Sequence, residues 1–232
     1  MPTEQTATTA ASSESAGARR PLRYGVAFLT ALAGICYSSW VLEFVLPIDS
    51  DPTDTFLSQL AEDGAPYRWL FVTGDTVTGA LLLVAGIGGL LLFARRRYST
   101  IAWTALACFG AATIADAQWP LKPGADSGDS GLFPQLHQVH ALTSTLAVFS
   151  IFIAMVAFTV AAFKYRHWPV LRHTGLWILI FGSIVTAWML IADNLSGNYG
   201  LGIAQRIQVG AMSLWLLALA VQIVVAERRV GM

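Results

Sequence analysis

The sequence predicts an all-α membrane protein, a six-helix transmembrane bundle with both termini on the cytoplasmic side. Three observations carry this. Only 12% of the 232 residues are charged while 55% are hydrophobic, about half the charge of a soluble domain. The mean hydropathy is +0.59. Six apolar runs are each long enough to cross a bilayer core, which takes about 20 helical residues.

The elements follow in order. Residues 1–20 are rich in Thr, Ser, Ala and Glu, without apolar periodicity, and read as a disordered cytoplasmic tail. Residues 21–229 form the membrane domain, with spans expected over Tyr24–Leu46, Trp69–Ala94, Thr100–Trp119, Val139–Phe163, Gly175–Ala192 and Ile207–Ala226. Backbone amides in lipid need partners within their own segment, so these runs read as helices. The apolar run after Arg19, Arg20 and Arg23 is too long for a signal-peptide core. Cys36 and Cys108 fall inside apolar runs and read as small buried hydrophobes.

Orientation follows from the basic residues. Arg19, Arg20 and Arg23 precede the first span, Arg95–Arg97 follow the second, Lys164, Arg166 and Arg172 follow the fourth, and Arg228 and Arg229 follow the sixth. These are 11 of the 14 Lys and Arg residues. Arg68, Lys122 and Arg206 alone fall on the opposite side, which also carries acids from Asp49 to Asp193. Trp40, Trp69, Trp119 and Trp168 fall near span ends, as interfacial tryptophans do. Ala85, Gly86, Gly88 and Gly89 give span two a small-residue surface that a second helix can approach.

Between Pro47 and Pro66 lies a long outer loop in which Thr53 or Asp54 would cap a short amphipathic helix carrying Phe56, Leu57, Ser58 and Leu60. Such a helix would cover the bundle as a lid.

Chemistry is expected at ionisable positions near the outer ends of the spans. Asp75 lies in span two, Asp116 near the end of span three, and His137 and His140 at the start of span four, with Glu43 at the end of span one. Charge in hydrocarbon is costly, so such groups turn inward and pair with one another or with water. His137 and His140 share one helical face. With Asp116 they have the chemistry to hold Zn²⁺, or with both aspartates to relay protons; the simpler reading is that they cap span four and hydrogen-bond the aspartates of neighbouring helices. Arg206 reads as an ion-pair partner of Asp193 or Asp116, or as an anchor for an anionic headgroup. Ser58, Asp75, Asp116, His137, His140 and Arg206 are thus the candidate ligand-binding residues. Asp75, Asp116, His137 and His140 are the catalytic candidates if a reaction occurs. No cofactor is expected, zinc being the one alternative. There is no phosphate-binding glycine loop, no Gly-x-Ser-x-Gly and no Cys-x-x-Cys. A formal net charge of zero points away from nucleic acid and leaves membrane lipids as the expected partners.

The order of several short motifs resembles an uncharacterised prokaryotic integral membrane family catalogued as domain of unknown function 998. They are Leu46-Pro-Ile-Asp, Ser58-Gln-Leu-Ala, Pro66, Leu70-Phe71, and Gly74-Asp75 ahead of Gly79. Then come Asp116 before Trp119-Pro120, His137-x-x-His140, and Gln205-Arg206. The resemblance covers roughly residues 24–226 and implies a multi-pass protein of the prokaryotic plasma membrane, without implying a reaction. Members often carry cysteines in the loop after span three, whereas Pro120–Gln135 here has none. In having Ser, Asp and a close His pair the chain is also distantly similar to membrane hydrolases of the alkaline ceramidase type. The function expected is therefore an outward-facing polar pocket that binds a lipid or small solute. The alternatives are a metal-dependent lipid hydrolase, a proton-coupled carrier and a non-catalytic scaffold.

Overall fold

The computed structural model describes residues 3–119, 139–166, 168–192, 195 and 199–230. Six α-helices dominate: α1 (Thr3–Cys36), α2 (Arg68–Leu92), α3 (Arg97–Gln118), α4 (Val139–Tyr165), α5 (Leu176–Ala192) and α6 (Leu201–Val230). Among the described residues there is no strand. Six helical segments are long and apolar enough to cross a membrane, the first being Arg19–Phe44 and the fifth Leu171–Ala192, which joins α5 to the turn before it. Helix α1 begins at Thr3, within the stretch expected as an unstructured tail, and carries Pro21 inside it. Continuing an existing helix avoids the nucleation penalty, which lets an Ala- and Glu-bearing segment extend it.

The helices alternate in direction. Around the bundle the neighbours run α4, α3, α2, α1, α6, α5, and α5 barely touches α4. The eleven basic residues noted above lie at one end, here the arginine end. The opposite end carries the 37–67 segment and is here the loop end, where Arg68 and Arg206 also lie; Lys122 is outside the described residues.

Small residues set the closest helix approach. Gly79 meets the Gly110 carbonyl, Gly86 meets Ala107, and Gly89 lies against the Trp103 ring, so α2 and α3 run backbone to backbone. At the arginine end Arg23 donates to the Leu92 carbonyl (3.0 Å) and to Glu227 (3.1 Å), tying α1 to α2 and α6. A π-helical turn, Leu171–Gly175, leads into α5. Its Val170 and Leu171 N–H groups donate to the Oε1 of fully buried Gln222. Trp168 stacks on Phe158 (centroids 5.5 Å apart) and is half-buried against the bundle.

The loop end departs from a plain helix end. After Cys36, α1 breaks and continues as a 3₁₀ turn, Ser39–Phe44. The expected lid helix is a second 3₁₀ turn, Leu57–Ala61, with Leu60 buried beneath it. Neither Thr53 nor Asp54 caps it. It starts at Phe56, whose N–H donates to Gln59 Oε1 (3.1 Å). Thr53 instead closes a local turn with Asp51, because a side-chain oxygen two residues back is the nearest available acceptor.

Candidate functional site

The loop is clamped by residues that open α6. Arg206 pairs with Glu43 through two parallel bonds, Nε to Oε1 (2.5 Å) and Nη2 to Oε2 (2.6 Å). Its Nη1 donates to the carbonyls of Pro52 (2.9 Å), Thr55 (2.6 Å) and Gly202 (3.0 Å). Gln205 Oε1 accepts from the Leu57 N–H (2.6 Å). Gly202 allows this contact, since a Cβ there would stand 2.5 Å from the Pro52 oxygen. The partner of Arg206 is therefore Glu43, in place of Asp116; Asp193 lies outside the described residues. Glu43 is correspondingly absent from the polar cavity described next.

Beneath the clamped turn is a cavity of about 120 Å³, lined from the 37–40 stretch that follows α1, from α2, α3, α4 and α6, and from the 57–61 turn. Asp75, Asp116, His140, Ser144, Ser58 and Gln205 supply its polar wall. Gly74 creates room for it. A Cβ at Gly74 would stand 2.6 Å from Ser39 Oγ, so the 3₁₀ turn after α1 can lie directly on α2 beside Asp75. Asp75 makes no hydrogen bond to any described residue.

Asp116, in the last turn of α3, is braced from α4. Its Oδ1 accepts from Thr143 Oγ1 and Ser144 Oγ, both at 2.7 Å, and lies 3.1 Å from His140 Nδ1. That nitrogen also lies 3.2 Å from the Trp119 carbonyl oxygen. Two acceptors facing Nδ1 place the neutral ring's proton there and leave Nε2 as an acceptor. Nε2 is 3.5 Å from Ser144 Oγ. Ser144 donates its proton to Asp116, so its hydroxyl braces that carboxyl group.

Four expected residues thus share one cavity: Ser58, Asp75, Asp116 and His140. Arg206 does not line it; it anchors the loop and borders a separate apolar groove between α5 and α6. His137 lies outside the described residues, and with it the proposed His137–His140–Asp116 metal set. Among the described residues no three His, Cys, Asp or Glu side chains gather closely enough to hold a metal. Thr143 and Ser144 were not singled out from the sequence. The signal available was Ser144 four residues after His140, hence on the same helical face.

Interior to the cavity, towards the arginine end, Trp103, Phe109, Ile151, Phe158, Trp215 and Leu219 fill the bundle. Outside the lipid-spanning helices, two hydrogen bonds from Thr53, backbone first and hydroxyl second, hold the Asp51 carboxyl below its ordinary pKa.

No curated protein and no solved structure shows significant similarity to the chain. The family described as "Protein of unknown function (DUF998)" matches residues 30–222, and the chain belongs to that family.

Proposed function

We propose that this multi-pass membrane protein binds a lipid headgroup or a small solute in the cavity beneath the 57–61 turn, with the loop end facing outward and both termini cytoplasmic. One observation carries the reading. Asp75 lines a cavity built from four helices and two segments of the loop end, yet no described residue hydrogen-bonds to it. A half-buried carboxyl group without protein partners at membrane depth is costly, and water or a ligand can satisfy it. The orientation is supported by the 11 of 14 basic residues gathered at the other end. A carrier would need a polar path onward, and the apolar filling around Phe109, Ile151 and Trp215 disfavours one. A zinc hydrolase would need a third ligand such as His137.

The test is native mass spectrometry of protein taken from its membrane in gentle detergent. A retained lipid or solute, diminished in a folded Asp75→Asn and Asp116→Asn double variant, supports binding. Parent protein that carries nothing, in detergent and in nanodiscs alike, overturns it.

A further inference from the structure

Resting on the reading of that cavity as a binding site, we propose that the group it takes is a small organic ammonium cation, with Asp75 as its counter-ion. Three features of the cavity point the same way.

The first is charge. Asp75 and Asp116 both line the space, and among the described residues neither faces an available Lys or Arg. Arg206 is engaged by Glu43 and by three carbonyls. Arg68 is engaged by Asp63 (3.3 Å) and the Ala61 carbonyl (3.0 Å). Among the described residues lining the space, His140 is the group able to add a positive charge, and its Nδ1 is directed at Asp116 and the Trp119 carbonyl. Asp116 has three donors on Oδ1, whereas Asp75 has none among the described residues. Among the described residues the excess is negative, which favours a cation over a phosphate or carboxylate.

The second is the aromatic part of the lining. Tyr37, Trp40 and Phe71 line the same space with Met212. Aromatic rings attract a cation through their quadrupoles, and rings with a carboxylate are the arrangement that recognises ammonium groups. Tyr37 is held edge-on against Phe109, with ring centroids 5.6 Å apart, so its position is fixed by packing.

The third is size. A cavity of about 120 Å³ is far below the ~300–1,000 Å³ of ordinary small-molecule pockets. It suits a methylated or short-chain ammonium head better than a sugar or an entire lipid. The ammonium can belong to a free amine or to the headgroup of a zwitterionic lipid whose tails stay in the bilayer.

The experiment is calorimetric titration of nanodisc-embedded protein with tetramethylammonium and ethylammonium. The comparison compounds are 2,2-dimethylpropan-1-ol, a neutral molecule of similar size, and inorganic phosphate. We expect at least one cation to bind, the neutral alcohol and phosphate to bind at least tenfold more weakly, and Asp75→Asn to lose at least tenfold in cation affinity. Phe71→Leu, which removes a ring and no charge, should weaken the cation and leave any alcohol binding unchanged. Preferential retention of phosphatidylethanolamine over phosphatidylglycerol, competed by ethylammonium, assigns the cation to a lipid. Cation binding with no lipid preference assigns it to a free solute. Equal binding of cation and alcohol, or unchanged cation affinity in both Asp75→Asn and Phe71→Leu, overturns the proposal. If native mass spectrometry then finds a neutral or anionic ligand, the binding site survives and its cation preference does not. A parent protein that binds nothing overturns both.

Discussion

Replacing Glu43 by alanine tests whether the clamp at the head of α6 holds the loop. The side chains of Arg206 and Glu43 are 5% and 2% exposed. That burial decides the magnitude. Exposed pairs contribute about 0–1 kcal/mol, whereas removing one partner of a buried pair costs about 3–5 kcal/mol, because the other charge stays dehydrated and unpaired. Glu43→Ala is therefore expected to lose about 3–5 kcal/mol of stability. The double variant Glu43→Leu, Arg206→Met removes both charges and should cost less, about 1–3 kcal/mol. What remains is the loss of the donor to the Pro52 and Thr55 carbonyls. Equilibrium unfolding in mixed micelles of non-ionic detergent and dodecyl sulfate measures each variant. Asp63→Ala is the control, since it breaks an Arg68 pair that is 33% and 66% exposed. A Glu43→Ala protein no less stable than Asp63→Ala would refute the reasoning, as would a double variant worse than the single.

Three further perturbations have defined outcomes. Gly86→Ala places a methyl 2.7 Å from the Ala107 nitrogen and should cost about 1–3 kcal/mol by separating α2 from α3, measured by the same unfolding assay. Gln222→Leu removes the acceptor of two backbone N–H groups but also an Nε2 that finds no partner among the described residues. Its cost should fall near the low end of about 1–3 kcal/mol, with faster hydrogen exchange at Val170 and Leu171. Because the folded-state pKa of Asp51 is depressed, its turn is supported above the unfolded value of about 3.9 and loosens only as pH falls through the lower folded value. Nuclear magnetic resonance of the Thr53 amide should give a midpoint below about 3.9, and a midpoint at or above it would contradict the turn.

The spans were legible in the sequence because lipid forces the pattern. A helix in hydrocarbon must be apolar along its whole length, and α2 to α6 show this directly. That Asp75, Asp116 and His140 line one space was legible for the same reason, since acids and imidazoles at matching depth turn away from lipid. The clamp was not. Glu43 and Arg206 are 163 residues apart, and several acids stood at the same level, so spacing alone could not select the partner. The braces Thr143 and Ser144 were hidden by their type. Hydroxyl residues commonly bond back to their own helix, as Thr30, Thr113 and Thr159 do here, and nothing local distinguishes one that reaches Asp116. The lid turn was expected, yet its caps were misplaced, because Gln59 reaches back to the Phe56 N–H from inside the turn and Asp51 is drawn to Thr53.

Thiol accessibility at position 75 probes the cavity most directly. In a Cys36→Ala, Cys108→Ala background, Asp75→Cys should react with a small membrane-impermeant thiol reagent applied outside intact cells, and Ser58→Cys should react with it as well. Val84→Cys, at a position 57% exposed on the lipid-facing surface of the same helix, should stay unmodified. A folded Asp75→Cys protein whose new thiol stays unreactive, or is modified only from the cytoplasmic side, would contradict a cavity that opens outward.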